Sequence, residues 1–258
     1  MVPLRLKIRF KIEPGSTIDF NYQWHLTAVV YNVLSLSAPD FSKQLHDSGY
    51  PHLAGPTFKF FTFSTLWAGK GATSIVNKRL CFESDSLLWR FDTPVPVVAS
   101  LFAEGLASLG EVRIGSLLAE VDEVIDEPMP DFSQGFAAFS SISPIVASIP
   151  DEKLGHKYLN PQGRQFWEVV KGNLKRKWET LYRRPYSGEI EIRPDEEYLA
   201  KRKTSKLISL KGHHIVRGHL VPFSIKADPQ IIALGYSAGF GGRNSLGFGM
   251  VETRRHKV

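Results

Sequence analysis

The first element predicted by the chain is a strand with cations on its open face. Between Leu4 and Ile12 every second residue is apolar, and the residues between them are Arg5, Lys7, Arg9 and Lys11. A period of two places the apolar side chains on one face of a strand and the cations on the other. The pattern therefore predicts that this strand is half buried.

The remainder of the first half predicts two helices, two strands, a third helix and a final strand. Leu26, Val30 and Val33 recur at helical spacing, which predicts a helix over residues 22–37. A shorter helix is expected over residues 40–47, with Asp40 as its N-cap. The later predicted elements are Thr57–Ser64, Ser86–Phe91, Pro96–Leu109 and Val112–Val121. The order strand–helix–strands–helix–strand is that of a βαββαβ, ferredoxin-like domain.

The second half repeats the same order after a short acidic, proline-rich segment at residues 126–131, which is predicted to be a linker. Its main helix is expected to follow Asn160 as N-cap, with Pro161 in the first turn. The predicted elements are Phe136–Ser148, Pro161–Tyr182, Glu189–Arg193, Ser205–Leu210, Ile215–Ile225, Asp228–Leu234 and Met250–Thr253. The chain is thus predicted to be α+β, with two tandem ferredoxin-like domains at residues 1–125 and 132–258.

Composition excludes several classes of protein. The chain has 258 residues, of which 43% are hydrophobic and 22% are charged, as in ordinary globular proteins. No apolar run approaches the roughly 18–20 residues that a membrane span requires, and cations interrupt the apolar N-terminus, so neither a membrane partner nor a signal peptide is expected. The only cysteine, Cys81, excludes an intramolecular disulfide and favours a reducing, cytoplasmic location.

The charge is distributed unevenly between the halves. The net charge is +6, but residues 1–150 carry 11 Lys and Arg against 15 Asp and Glu, whereas residues 151–258 carry 21 against 11. A second half this basic indicates a polyanionic partner such as nucleic acid. A basic surface that is merely solvated remains the alternative.

Residues 235–249 form a glycine-rich segment with six glycines in fifteen residues. Gly242 and Gly247 have the spacing of a nucleotide-binding P-loop, but Phe248 stands where that loop needs lysine. A dinucleotide fingerprint would need a third glycine and a preceding strand, so no cofactor is predicted. The remaining interpretations are a phosphate-binding backbone beside Arg243, Asn244 and Ser245, or a tight structural loop.

Three segments carry a family resemblance. Residues 244–251, Asn-Ser-Leu-Gly-Phe-Gly-Met-Val, resemble the C-terminal glycine-rich motif of the CRISPR-associated RAMP-superfamily endoribonucleases. Residues 21–32 resemble the first helix of that family, and residues 143–146 resemble the Ser-Pro-Ile stretch that opens its second domain. The resemblance implies two tandem RAMP/RRM-like domains and an enzyme that cuts CRISPR repeat RNA into guide RNAs (crRNAs) without a cofactor.

The same resemblance implies a catalytic set. Tyr31 matches the family's helix tyrosine and His46 matches its histidine, while His52 occupies the approximate position of its lysine. Lys59 or Lys43 is an alternative source of the missing charge. The implied chemistry is metal-independent: the 2′-OH attacks the adjacent phosphate, which leaves a 2′,3′-cyclic phosphate and a 5′-OH.

RNA-binding residues are expected at two places in the second half. One is the basic run Lys201, Arg202 and Lys203, whose alternative is a solvated loop; the other is the glycine-rich segment, represented by Gly239, Gly241, Arg243, Asn244 and Ser245. No metal site is predicted, because the histidines at 213, 214 and 219 have no further ligands nearby in the sequence.

The expected partner is CRISPR repeat RNA or crRNA. Other subunits of a CRISPR complex and a second copy of this chain are further partners that the family allows. The alternative function is a RAMP subunit that binds crRNA without cutting it, and a third is a basic ferredoxin-like protein with an unrelated ligand.

Overall fold

Both halves of the chain fold into the same four-stranded arrangement. The computed structural model describes residues 5–53, 55, 57–153, 155–210 and 214–254. The elements of the first half are β1 (Arg5–Lys11), β2 (Ser16–Ile18), α1 (Gln23–Ser37), α2 (Pro39–Asp47), β3 (Thr62–Phe63), β4 (Thr73–Val76), β5 (Arg79–Phe82), β6 (Ser86–Asp92), α3 (Pro96–Leu109), β7 (Glu111–Ile114) and β8 (Leu117–Glu127).

The first sheet has the strand order β3-β6-β1-β8-β7, with every neighbouring pair antiparallel. The strands β3, β6, β1 and β8 follow the 2-3-1-4 order of a ferredoxin-like domain. Apolar residues of β1 and β6 are buried beneath α1 and α3, and Phe10 and Trp89 stack with their centroids 6.1 Å apart. On the other face of β1, Arg9 and Lys11 pair with Asp122 of β8. The predicted open face of cations is confirmed for Arg9 and Lys11, but it is wrong for Arg5, whose side chain is buried.

The second half has the elements β9 (Phe136–Ser141), β10 (Ser148–Asp151), β11 (Gly155–Tyr158), α4 (Arg164–Tyr182), β12 (Glu191–Pro194), α5 (Glu196–Lys201), β13 (Ser205–Leu210), β14 (His214–His219), β15 (Phe223–Lys226), α6 (Pro229–Ala238), a 3₁₀ turn (Asn244–Leu246) and β16 (Val251–Thr253). Its main sheet has the order β12-β15-β9-β16, again antiparallel and again 2-3-1-4. The prediction of two tandem ferredoxin-like folds is therefore confirmed.

Several predicted strands have different extents. Of Phe136–Ser148 only Phe136–Ser141 is β9, and Ile215–Ile225 is divided between β14, which pairs with β13, and β15, which lies in the main sheet. Within Thr57–Ser64 only Thr62 and Phe63 join the sheet, because Phe60 has a φ of 53° that interrupts the extended backbone. The segment Val112–Val121 is a hairpin of β7 and β8 rather than one strand.

Both predicted N-caps are wrong. Asp40 lies in the first turn of α2, which begins at Pro39, a residue suited to that position because it has no N–H to satisfy. The Asn160 side chain accepts a hydrogen bond from the Gln162 amide in a local turn, and α4 begins only at Arg164.

Small elements around the two cores were not predicted. They are the sheet β2-β5-β4, the hairpin β10-β11 and the helix α5, which Asp195 caps by accepting from the Tyr198 amide. Within the described part of the chain, no helix has both the length and the apolar character needed to cross a membrane.

The two domains meet around a buried guanidinium. Arg5 of β1 donates from Nε to Asp92 Oδ2 at 2.7 Å, from Nη1 to the Val251 carbonyl at 2.7 Å and from Nη2 to the Tyr236 carbonyl at 3.1 Å. Its guanidinium carbon also lies 3.6 Å from the centroid of the Tyr236 ring. Burial raises the pKa of Asp92 to about 6, against the opposing effect of Arg5, so this carboxyl is ionised at neutral pH. A residue near the N-terminus thus joins the first domain to α6 and β16 of the second.

Replacement of Asp92 by Ala is expected to destabilise the protein by about 3–5 kcal/mol, because it leaves the Arg5 charge buried without its carboxylate. The matched control is Asp122→Ala, which removes a carboxylate from the partly exposed pairs with Arg9 and Lys11 and should cost at most about 1 kcal/mol. Urea unfolding at pH 7 measures both. Equal losses of stability in the two variants would contradict this account of the domain interface.

Candidate active site

Tyr31 and His46 come together because α1 and α2 pack against each other. The Ser42 hydroxyl on α2 donates to the Tyr31 carbonyl on α1 at 3.0 Å, which fixes the two helices side by side. The Tyr31 and His46 rings then meet edge to face, with their centroids 4.9 Å apart. The opposite side of Tyr31 packs on Phe61, so the tyrosine has a defined orientation.

The surroundings of these two side chains suit them to different tasks. Burial raises the pKa of Tyr31 to about 12, so its hydroxyl stays protonated at neutral pH and can act as a hydrogen-bond donor. His46 is exposed, and its Nδ1 lies 2.8 Å from Asp47 Oδ1. The hydrogen bond from His46 lowers the pKa of Asp47, so the carboxylate is ionised and orients the ring. With Nδ1 so engaged, Nε2 is the nitrogen available to a substrate.

Lys59 supplies a positive charge at this place. Its Nζ donates to the His46 carbonyl at 2.6 Å. Partial burial lowers the pKa of Lys59, and the charge of Asp47 opposes that shift. Lys43, the other alternative, is exposed on α2 and also lowers the pKa of Asp47. The structure therefore brings Tyr31, His46 and Lys59 into one group.

His52 makes a different contact. Its Nε2 lies 3.1 Å from Glu179 Oε2 on α4, and its side chain is only 10% exposed. This pair joins the loop after α2 to the second domain. The residue that the resemblance places near the family's lysine is therefore engaged in an interdomain contact.

The glycines of the glycine-rich segment are explained by packing within the protein. Gly239 and Gly241 are buried and have φ values of 78° and 72°, which disfavour any side chain. A Cβ atom at Gly239 would collide with the Asn244 side chain, and one at Gly241 would collide with the Val146 carbonyl. These two predicted RNA-binding residues thus shape the segment from within.

Arg243, Asn244 and Ser245 are the partly exposed residues at its tip. The Asn244 side chain is used inside the segment, since its Nδ2 donates to the Phe248 carbonyl at 2.9 Å. Thr27 of α1 donates to the Ser245 carbonyl at 3.3 Å, and Thr27 lies one helical turn before Tyr31. The tip of the segment and the Tyr31–His46 group therefore lie along the same helix.

The basic run at 201–203 is on the surface. Lys201 ends α5 and pairs with Glu197 at 2.6 Å, whereas Arg202 and Lys203 are exposed just before β13. The hairpin β13–β14 that follows reaches the start of α1, where the Ser209 amide donates to Asn21 Oδ1 at 2.8 Å. The basic run thus leads, through this hairpin, toward the same helix as the candidate site.

The surroundings of the histidines in the second half bear on whether they could bind a metal. Among the described residues, no three His, Cys, Asp or Glu side chains converge on a point where an ion could sit. His213 lies outside the described residues. His219 is buried against Phe166 and its Nδ1 is 3.0 Å from Thr204 Oγ1; burial and, to a lesser extent, Arg217 lower its pKa to about 4. This histidine is therefore neutral and part of the core.

Two residues near the site escaped prediction. Asp47 gave no signal beyond its adjacency to His46. Lys177 gave a signal in the sequence. It stands three residues after Leu174 and four before Leu181, inside the apolar stripe of α4. A cation inside such a stripe indicates a buried charge.

The family models that match this chain together span nearly all of it. Residues 17–125 match the model of CRISPR-associated protein Cas6, N-terminal, and residues 127–253 match the model of CRISPR associated protein Cas6, C-terminal. The CRISPR-associated endoribonuclease Cas6 1 of Methanocaldococcus jannaschii is 28% identical over 252 residues, with 96% of this chain and 92% of that protein covered.

A second relative and a solved structure point to the same family. The CRISPR-associated endoribonuclease Cas6 of Pyrococcus furiosus is 28% identical over 247 residues, with 93% of this chain and 85% of that protein covered. A solved structure described as CRISPR associated protein Cas6 superposes with a TM-score of 0.78 at 27% identity, over 98% of this chain and 100% of the other. The chain belongs to the Cas6 family of CRISPR-associated proteins.

Proposed function

We propose that this chain is an endoribonuclease that binds CRISPR repeat RNA and cleaves it once per repeat to make crRNA. The observation that carries the proposal is the edge-to-face contact of the Tyr31 and His46 rings, with the Lys59 ammonium bonded to the main-chain carbonyl of His46. The endoribonuclease names of the relatives that align with most of the chain support it.

The reaction proposed is an internal displacement at phosphorus. The 2′-oxygen forms a bond to the adjacent phosphorus as its proton is removed, and the bond from phosphorus to the 5′-oxygen breaks as that oxygen gains a proton. The products are a 2′,3′-cyclic phosphate and a 5′-OH. This step needs a proton carrier and donors for the charge that develops on the phosphoryl oxygens, and it needs no metal-activated water.

Each member of the group has a role that its surroundings suit. His46 is the proton carrier, because an imidazole changes charge near neutral pH and Asp47 holds this one in place. Tyr31, kept protonated by burial, donates to a phosphoryl oxygen. Lys59 offsets the developing negative charge. His52 pairs with Glu179 on α4 and takes no part in the proposed chemical step.

The RNA is proposed to lie over the second domain and along α1. Arg202 and Lys203, with Lys201 beside them, attract phosphates at the base of the β13–β14 hairpin. Arg243, Asn244 and Ser245 present the tip of the glycine-rich segment, while Gly239 and Gly241 allow that segment its shape. The tip of the segment contacts α1, which carries Tyr31, and the hairpin extends from the basic run to Asn21, just before α1.

The second candidate is a Cas6-type subunit that binds crRNA without cutting it. The observation in its favour is that His52, at the family's lysine position, is committed to Glu179. Other CRISPR complex subunits and a homodimer stay as predicted partners. The proposal includes a cytoplasmic location, which agrees with a chain that has one cysteine.

A repeat RNA with a single 2′-deoxy substitution on the 5′ side of the cut is expected to be bound but not cleaved, because the attacking oxygen is absent. Cleavage of the all-ribose RNA should proceed unchanged in EDTA. Gel analysis of end-labelled RNA reads both experiments. Cleavage of the deoxy substrate, or activity lost in EDTA and restored by Mg²⁺, would indicate a metal-activated water instead.

Replacement of His46 by Ala is expected to slow single-turnover cleavage by about 10²–10⁴-fold with RNA binding retained, because the proton carrier is lost. Lys59→Met should cost about 10²-fold, the usual loss for one donor to a developing charge. His52→Ala is the matched comparison and should stay near the parental rate. A parental rate in His46→Ala would overturn its assignment, and a larger loss in His52→Ala than in Lys59→Met would return the third role to His52.

A further inference from the structure

Lys177 is a fully buried cation beneath the glycine-rich segment. It lies on the inner face of α4 with a side chain only 2% exposed. Its Nζ donates to three main-chain carbonyls of one stretch: that of Gly239, which is nearest, that of Gly241 at 3.2 Å and that of Ala238 at 3.4 Å. All three donor positions of the ammonium are thus directed at residues 238–241.

The charge at this position requires compensation. Burial, with a smaller effect from the neighbouring Arg176, lowers the pKa of Lys177 to about 7. No carboxylate of the described residues lies within ion-pair distance of its Nζ. The compensation comes from carbonyl dipoles, because α6 ends at Ala238 and the C-terminus of a helix carries partial negative charge.

The end of the glycine-rich segment is held by other contacts. Thr62 of β3 donates to the Phe248 carbonyl at 3.0 Å, and the Gly249 amide donates to the Pro144 carbonyl at 2.9 Å. Lys177 therefore anchors the beginning of the segment and these contacts anchor its end. The partly exposed tip, residues 243–245, is the span between the two anchors.

We propose that Lys177 is a positioning residue for RNA binding: it fixes the glycine-rich segment from inside the protein and makes no contact with RNA. This inference rests on the proposed function, since it assumes that the tip of the segment binds repeat RNA. It assigns a role to a lysine that a count of charge along the sequence would credit to phosphate binding.

The test compares Lys177→Met with Lys175→Met. Both variants remove one lysine from α4, but Lys175 is only partly buried and its Nζ lies 6.0 Å from the Tyr186 ring centroid. We expect Lys177→Met to bind repeat RNA roughly tenfold more weakly, as loss of about one charge-assisted hydrogen bond would cause. Single-turnover cleavage at saturating protein should stay near the parental rate.

The salt dependence of binding distinguishes positioning from direct contact. A residue that neutralises a phosphate contributes about 0.7–0.9 to the slope of log K against log salt. The slope for Lys177→Met should therefore equal the parental slope. A slope reduced by that amount, or an affinity equal to the parental one, would overturn the proposal.

Hydrogen exchange of the free protein provides a measurement that needs no RNA. Amides of residues 239–247 should exchange faster in Lys177→Met than in Lys175→Met, while the strands of both sheets keep parental protection. If Lys177→Met does not fold, Lys177→Gln takes its place, and parental exchange of these amides in that variant would overturn the proposal. Failure of the parental chain to bind repeat RNA would overturn the proposed function together with this inference, whereas normal binding by both parent and Lys177→Met overturns the inference alone.

Discussion

The arrangement of the two domains depends on the hydrogen bonds that the buried Arg5 guanidinium makes. A buried guanidinium needs partners for its N–H groups, and here they come from both domains: Asp92 from β6, and the Val251 and Tyr236 carbonyls from β16 and α6. The planar group also lies on the Tyr236 ring. Because α6 leads directly into the glycine-rich segment, the same contact sets where that segment lies relative to β3 and α1. One buried ion thus helps to place the candidate RNA-binding tip against the first domain.

The number of cations in the second half overstates how many are available to a ligand once the chain is folded. Residues 151–258 hold 21 Lys and Arg, but several of these are already engaged. Lys177 is buried among carbonyls, Lys201 pairs with Glu197, and Arg254 pairs with Asp195. Fewer cations are consequently available to a polyanion than the count suggests. Exposed residues such as Arg202 and Lys203 are the main candidates for binding it.

The candidate active site shows how one departure from a family pattern can be accommodated. His52, which the resemblance places near the family's lysine, contacts Glu179, and the ammonium of Lys59 bonds to the main-chain carbonyl of His46. A charge can thus be supplied at the same group of side chains from a different point in the sequence. Burial of Tyr31 favours its protonated form, so the proposed mechanism assigns proton transfer to the exposed imidazole of His46.

The sequence by itself determined the two βαββαβ orders, because apolar periodicity records which face of each element is buried. Where local competition decides, the sequence was misleading: Pro39 displaced Asp40 as the start of α2, and the side chain of Asn160 made a turn rather than a cap. Tyr31 and His46 were selected through the family resemblance, and only the packing of α1 on α2 brought their rings together. The choice between Lys59 and His52, and the burial of Lys177, depend on contacts between segments far apart in the chain. Such contacts follow from tertiary packing, which no local pattern of residues encodes.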